Sequence, residues 1–102
     1  MEVDVLEFAE DDIEEGITFY ERQSAGLGDY FFDSISADID SLMLYGGIHR
    51  KVYGLHRLLA EKFPFAIYYE LAGEVVRVWA VIDCRSRPAW IRKTITNRLT
   101  KR

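Results

Sequence analysis

The sequence predicts an α+β domain: an N-terminal strand, an α-helical hairpin, a three-stranded antiparallel meander completing one sheet, and a short C-terminal helix. Three observations carry this. Apolar residues in the first half recur at spacings of three and four between glycine breaks. From Val52 onward the period shortens and β-branched and aromatic residues dominate. The breaks between these later segments are so short that only hairpins can join them. A chain of 102 residues, 49% of them hydrophobic, fits one domain over residues 1–102 with a single modest core.

Val3 and Val5 alternate with Glu2, Asp4 and Glu7, which predicts a first strand ending near Phe8. Glu10, Asp11 and Asp12 suit the positive end of a helix dipole, and Ile13, Ile17 and Tyr20 then form a buried stripe ending near Ser24. After Gly26 and Gly28, the residues Phe31, Phe32, Ile35, Ile39, Leu42 and Met43 mark a second amphipathic helix that stops at Gly46-Gly47. Three strands follow, over 55–63, 65–71 and 75–84, separated by Pro64 and by Ala72-Gly73. In the last of them strict alternation points Val76, Val78, Ala80, Ile82 and Cys84 toward the helices. Arg77, Trp79, Val81 and Asp83 then point to a face the hairpin leaves open. Beyond Pro88, the residues Trp90, Ile91, Ile95 and Leu99 give one apolar side to a C-terminal helix expected to pack on the body. Arg92, Lys93, Arg98, Lys101 and Arg102 form its rim.

The formal charge of −4 conceals a strong asymmetry. Residues 1–50 hold thirteen Asp and Glu against Arg22 and Arg50, a charge of −11. Residues 51–102 hold eleven Lys and Arg against Glu61, Glu70, Glu74 and Asp83, a charge of +7. If the halves occupy different faces, the molecule is a strong dipole with a cationic working surface. Arg85 and Arg87 at the exit of the last strand, Arg77 on its open face and the basic helix are expected to form one contiguous cationic edge.

Several chemistries find no support. Gly26-Leu-Gly28 does not follow a strand and carries no lysine motif, so it reads as a turn rather than a phosphate loop. His49 and His56 lack metal-ligand spacing with Asp or Glu and read as hydrogen-bonding or surface residues. No serine sits in a nucleophile elbow, and the carboxylates of the first helix read as a solvated face. Cys84, the single cysteine, excludes an internal disulfide and reads as a small core residue. No cofactor and no metal is expected. The longest apolar stretches fall far short of the roughly 20 residues of a membrane span. The N-terminus has no cationic, apolar leader, so a cytoplasmic location without membrane contact is expected. What remains is Arg57, Lys62, Arg77, Arg85, Arg87, Arg92 and Lys93, interleaved with Tyr68, Tyr69, Trp79 and Trp90. Guanidinium groups and flat rings suit either nucleic acid or an acidic protein segment.

Four groups of residues, in order, resemble the ParE/RelE superfamily of toxins from bacterial type II toxin-antitoxin, or plasmid stabilisation, systems. They are Tyr20-Glu-Arg-Gln-Ser-Ala-Gly-Leu-Gly28, then Val52-Tyr-Gly54, then Leu58-Leu59 with Lys62-Phe-Pro-Phe-Ala-Ile-Tyr-Tyr69. The last is Val78-Trp-Ala-Val-Ile82 followed by Cys84-Arg85, Arg87-Pro88 and Trp90. The resemblance covers nearly the whole chain and implies a RelE/ParE-like fold. It also implies a cognate antitoxin, encoded beside the toxin, that lays an extended or helical segment across it, and no sequence-specific DNA binding by this chain alone. An acidic, apolar antitoxin segment is expected over the sheet and the basic edge.

The superfamily divides by target. The RelE-like branch cuts messenger RNA on the ribosome, and its matching cations here are Arg57, Arg77 and Arg85. The histidine of many relatives at the end of the last strand is replaced by Asp83, which cannot supply an imidazolium. The ParE-like branch, favoured by the Lys62-Phe-Pro-Phe motif, inhibits DNA gyrase by binding and needs no active site. On that branch Arg57, Arg77, Trp79, Arg85, Arg87, Trp90, Arg92 and Lys93 are the expected contacts with target or antitoxin. A third possibility is a degenerate member that retains only antitoxin binding.

Overall fold

The structure, a computed structural model, describes residues 1–101; the expected rim residue Arg102 lies outside them. Nine elements follow in order: β1 (Glu2–Val5), α1 (Glu7–Gln23), α2 (Leu27–Asp40), the single-turn α3 (Leu42–Tyr45), β2 (Lys51–Val52), β3 (Leu55–Leu59), β4 (Phe65–Ala72), β5 (Val75–Asp83) and α4 (Pro88–Leu99). One five-stranded sheet has the order β1-β5-β4-β3-β2. β2 through β5 pair antiparallel, and β1 lies parallel to β5 because the helical hairpin carries the chain back before the meander starts.

The expected class is therefore present, with shifts that have local causes. β1 is shorter than predicted. Leu6 donates its N–H to the Val78 carbonyl at 3.0 Å, and its own carbonyl accepts from Ala9 and Glu10, so strand passes directly into helix. Glu7 and Glu10 sit in the first turn, where the dipole favours acids. Phe8 consequently belongs to α1. α1 and α2 approach closely because Gly16 faces the Phe31 ring: a Cβ there would lie 2.5 Å from a ring carbon. The α2 stripe is Phe31, Ile35 and Ile39; Phe32 and Met43 fall off it and are half exposed, contrary to expectation. The predicted single helix breaks at Ser41, whose hydroxyl donates to the Asp38 carbonyl at 2.6 Å and turns the chain into α3.

The strand expected to reach Phe63 ends at Leu59. In the loop before Pro64, Phe63 turns back among Tyr20, Tyr30 and Phe31, with ring centroids at 4.8, 5.6 and 5.0 Å. Phe65 joins the same cluster at 4.9 Å from Phe31. The Lys62-Phe-Pro-Phe motif thus works as an aromatic clamp between the meander and the hairpin. A second turn, Tyr53-Gly54, has φ of 57° and 87° and joins β2 to β3 as a tight two-residue hairpin.

Two cores lie on opposite faces of the sheet. The hairpin covers Phe65, Ile67, Tyr69, Val76, Val78 and Val81. The other face holds Leu55, Ala66, Tyr68, Trp79, Ala80 and Ile82 beneath Ile91 and Ile95 of α4. Strict alternation along β5 fails because the register shifts: Tyr68 pairs with Ala80 but Tyr69 pairs with Val78, leaving Trp79 as the extra residue of a bulge. Trp79 and Ala80 therefore share the α4 face, and Val81, not Ala80 or Ile82, points at the hairpin. Trp79 was expected on an open face; it is 5% exposed, stacks on Phe8 at 6.0 Å and donates its indole N–H to Glu70 at 2.6 Å. Cys84, expected in the core, lies at the surface beyond the end of β5.

β1 stops at Val78, so the bulged part of β5 has no strand beside it on that side. Side chains take over. The Asp12 carboxylate of α1 accepts the Val81 N–H at 2.9 Å, and Arg98 of α4 donates to the Trp79 carbonyl at 3.2 Å. The two join through a fork of 2.6 and 2.8 Å, with Arg98 also over the Phe8 ring. Arg98, predicted on the rim, is an interior residue.

At the other end of the sheet, the fully buried Tyr69 hydroxyl accepts the Gly47 N–H at 2.9 Å. Its own proton is then directed at His49 Nδ1, while His56 donates from Nδ1 to the His49 carbonyl. Both histidines have the hydrogen-bonding role expected of them. Burial lowers the His49 pKa, and the neighbouring His56 adds to the shift. The unfolded chain takes up this proton near pH 6.5 and the folded chain resists it, so stability should be full above that pH and decline as pH falls below it. Urea unfolding across pH 5 to 8 checks this. His49→Gln should flatten the acid limb; an unchanged limb would assign it to other groups.

Candidate functional site

The eight cationic and aromatic residues expected at the working surface do not form one edge. Arg77 is near the start of β5 and Arg85 lies in the turn beyond its end, with about 20 Å of strand from Arg77 to Asp83 at roughly 3.3 Å per residue. Arg77 faces Glu70 across the ladder at 4.0 Å and is half exposed. Trp79 is under α4 and cannot meet a partner without displacing that helix.

Near the end of β5 the Asp83 carboxylate receives Arg85 through Nε at 3.0 Å and Nη2 at 2.7 Å, and also accepts the Arg85 N–H at 2.8 Å. The arginine holds the Asp83 pKa below the ordinary carboxylate range, chiefly through the side-chain hydrogen bond, and Asp83 raises that of Arg85 in return. Asp83 is therefore ionised and cannot serve as an acid near neutral pH. Arg87 occupies the N-cap position of α4 without a side-chain cap, Pro88 stands at the helix's first position, and both are exposed.

A second group lies on the α4 face of the meander. Arg57 on β3 stands opposite Tyr68 on β4. Burial raises the Tyr68 pKa, and a hydrogen bond from Arg57 opposes the rise. Although Cys84 lies at the surface, partial burial of its thiol likewise raises its pKa, with Arg57 again opposing, so the thiolate is disfavoured at neutral pH. Tyr53 acts on the same Tyr68 hydroxyl from the β2–β3 turn. It also lines a groove of about 430 Å³ against Arg92, Lys93, Thr96 and Asn97 of α4. The structure thus brings Arg57, Arg92 and Lys93 to one face with Tyr53 and Tyr68. It sets Arg85 and Arg87 at the turn beside it, and Arg77 away from both. His56 pairs with Tyr69, whose ring lies in the hairpin core, so the two-histidine network is on the opposite face from Arg57.

Trp90 is the largest departure. Ile91 and Ile95 pack into the second core, but Trp90 is 53% exposed. It lines a cleft of about 290 Å³ with Gly16, Phe19, Phe65, Val81 and Asp83, between α1 and the start of α4. Phe19 is not among the residues singled out from the sequence, because it lies off the buried stripe of α1. Its offset of one position from the Ile13–Ile17–Tyr20 stripe was the available signal.

These features define a class: a small α+β protein whose helical hairpin packs on one face of a parallel-capped antiparallel meander, with a short C-terminal helix on the other. The solved structure "Chromosomal ParDE TA system from P. aeruginosa" contains a chain of this kind, at TM-score 0.68 and 17% identity, covering 81% of the present chain and 95% of that one. The fold is ParE-like. No family model matches the sequence, and no curated protein matches it either. No helix among the described residues is long and apolar enough to cross a membrane.

Proposed function

We propose that this chain is the toxin of a type II toxin-antitoxin pair, neutralised by a cognate antitoxin, and that it acts by binding DNA gyrase. The observation that carries the binding mechanism is the dispersal of its cations. Arg77 stands apart from the Arg57–Arg92–Lys93 face and from the Arg85–Arg87 turn beside that face, as suits an interface rather than a single phosphate pocket. The proton-transfer chemistry points the same way. Asp83 is held ionised, Tyr68 is held protonated by burial, and the histidines are on the other face. The ParE-like fold supports the toxin reading, and a cytoplasmic, membrane-free location follows from it.

One observation favours a second reading, a RelE-like ribonuclease: Arg57 and Tyr68 face each other across β3 and β4 on the side that α4 covers. Of the three arginines expected for that chemistry, Arg77 stands too far from Arg85 to share a phosphate with it. Inducing the chain alone in bacteria tests the toxin reading. Growth should stop, with DNA damage signalling ahead of any loss of translation, and co-induction of the neighbouring gene product should restore it. Unaffected growth would leave only antitoxin binding, and a translation block that comes first would favour the ribonuclease.

A further inference from the structure

The two most exposed large apolar side chains among the described residues stand on one turn. Leu44 is 78% and Ile48 73% exposed, and Met43, Tyr45 and Leu71 are exposed beside them. α3 is anchored by the fully buried Leu42, which at about 100° per residue turns Leu44 outward and leaves Met43 and Tyr45 on its flanks. Ile48 follows at once, its N–H bonded to the Tyr45 carbonyl at 3.3 Å. Gly46 stands over Val76 of β5, and Gly47 lies so close to Leu71 of β4 that a Cβ there would be 2.8 Å from a Leu71 methyl carbon. The patch therefore runs from α3 onto the middle of the sheet. Its platform is fixed, because the Gly47 N–H and the His49 ring are both tied to the buried Tyr69 hydroxyl. No Asp, Glu, Lys or Arg stands between Asp40 and Arg50.

Charge returns at the rim, with opposite signs on opposite sides. The strand order puts Glu2 on the β1 side, with Glu74, whose carbonyl accepts the Glu2 N–H, and puts Lys51 of β2, preceded by Arg50, on the other. Four strand spacings, about 19 Å, separate the two edges. All four side chains are exposed. We infer that this patch is the contact surface for a second copy of this chain, related by a two-fold axis that sets α3 against α3. A two-fold contact requires a surface complementary to itself. A neutral apolar centre between an acidic and a basic rim meets that requirement. Rotation by half a turn lays the centre on itself and brings Glu2 and Glu74 of one copy toward Arg50 and Lys51 of the other. A partner of a single charge sign would find half of the rim repulsive. The patch is small, so the pair should be weak, with a dissociation constant on the order of micromolar. This contact goes beyond the proposed toxin function and does not depend on it.

Sedimentation of the purified full chain from about 1 μM to about 300 μM, a range that brackets such an affinity, tests it. The mass should rise from one copy to two. Leu44→Glu and Ile48→Glu, both at exposed positions, should keep the circular dichroism and melting temperature of the parent and raise the dissociation constant about tenfold or more. Lys51→Glu and Glu74→Lys should each weaken the pair at low salt. The two exchanges together should restore it, which a contact between two copies of the same surface requires. A single copy throughout, a dimer indifferent to Leu44→Glu, or exchanged charges that fail to restore it would overturn the assignment. So would a chain that stays single while the neighbouring gene product protects the amides of residues 43–48, which would give the patch to the antitoxin. Growth arrest by the uncomplexed chain is a separate readout, so a failure of the toxin reading and a failure of this contact can be told apart.

Discussion

Replacing Arg98 with methionine is expected to cost about 3–5 kcal/mol, the usual penalty for leaving one charge of a buried pair alone. Arg98 and Asp12 are 16% and 13% exposed, joined by two hydrogen bonds. More than a pair is lost. Without the guanidinium, the Trp79 carbonyl loses a donor, and the Asp12 carboxylate that caps Val81 stays buried without its counter-charge. Replacing both, Asp12→Leu with Arg98→Met, should recover part of the loss, because no lone charge remains. It should not recover all, since the bulged edge of β5 still lacks partners, worth about 1–3 kcal/mol. Urea unfolding of the two single variants and the double variant gives the cycle. A loss under about 1 kcal/mol for Arg98→Met would mean that the pair behaves as a solvated surface bridge.

The two tryptophans should separate just as sharply. Trp79→Ala is expected to cost about 3–5 kcal/mol, from a cavity under α4. It also leaves Glu70 without its indole donor and Phe8 without its stacking partner. Trp90→Ala should change stability by no more than about 0.5 kcal/mol, as surface substitutions do. The C-terminal helix nonetheless packs on the body, through Ile91 and Ile95. Thermal unfolding of both variants checks the pair. Equal losses would mean that the Trp90 ring is buried against the body in solution.

The hairpin and the meander could be read from the sequence because each rests on short-range periodicity. Ile13, Tyr20, Phe31, Ile35 and Ile39 mark the helices, and the breaks at Pro64 and Ala72-Gly73 mark the strands. What could not be read depends on tertiary registration. A single extra residue in β5 moves Trp79 from the expected open face into a core, and nothing local in Val78-Trp-Ala-Val marks it. Arg98 reads as a rim cation because its partner lies 86 positions away. The charge count of +7 for the second half was sound, but charge summed along a chain carries no geometry. The strand length separates Arg77 from Arg85, and Asp83 and Glu70 lie beside them. The candidate face was legible in composition, through Arg57, Arg92 and Lys93, and illegible in arrangement.

The most direct test of the binding mechanism is supercoiling by purified gyrase, titrated with the chain and with alanine variants of Arg57, Arg77, Arg85, Arg87 and Arg92, alongside cleavage of ribosome-bound message. On the proposed reading the chain inhibits supercoiling and leaves message intact. The substitutions at Arg85, Arg87 and Arg92 each weaken inhibition in part, and their combination abolishes it, because an interface spreads its energy. A site that stabilises charge on one phosphate would instead concentrate a loss on the order of 10²–10³ in a single donor. Supercoiling untouched by the chain, with message cleavage that disappears in Arg57→Ala alone, would contradict the account.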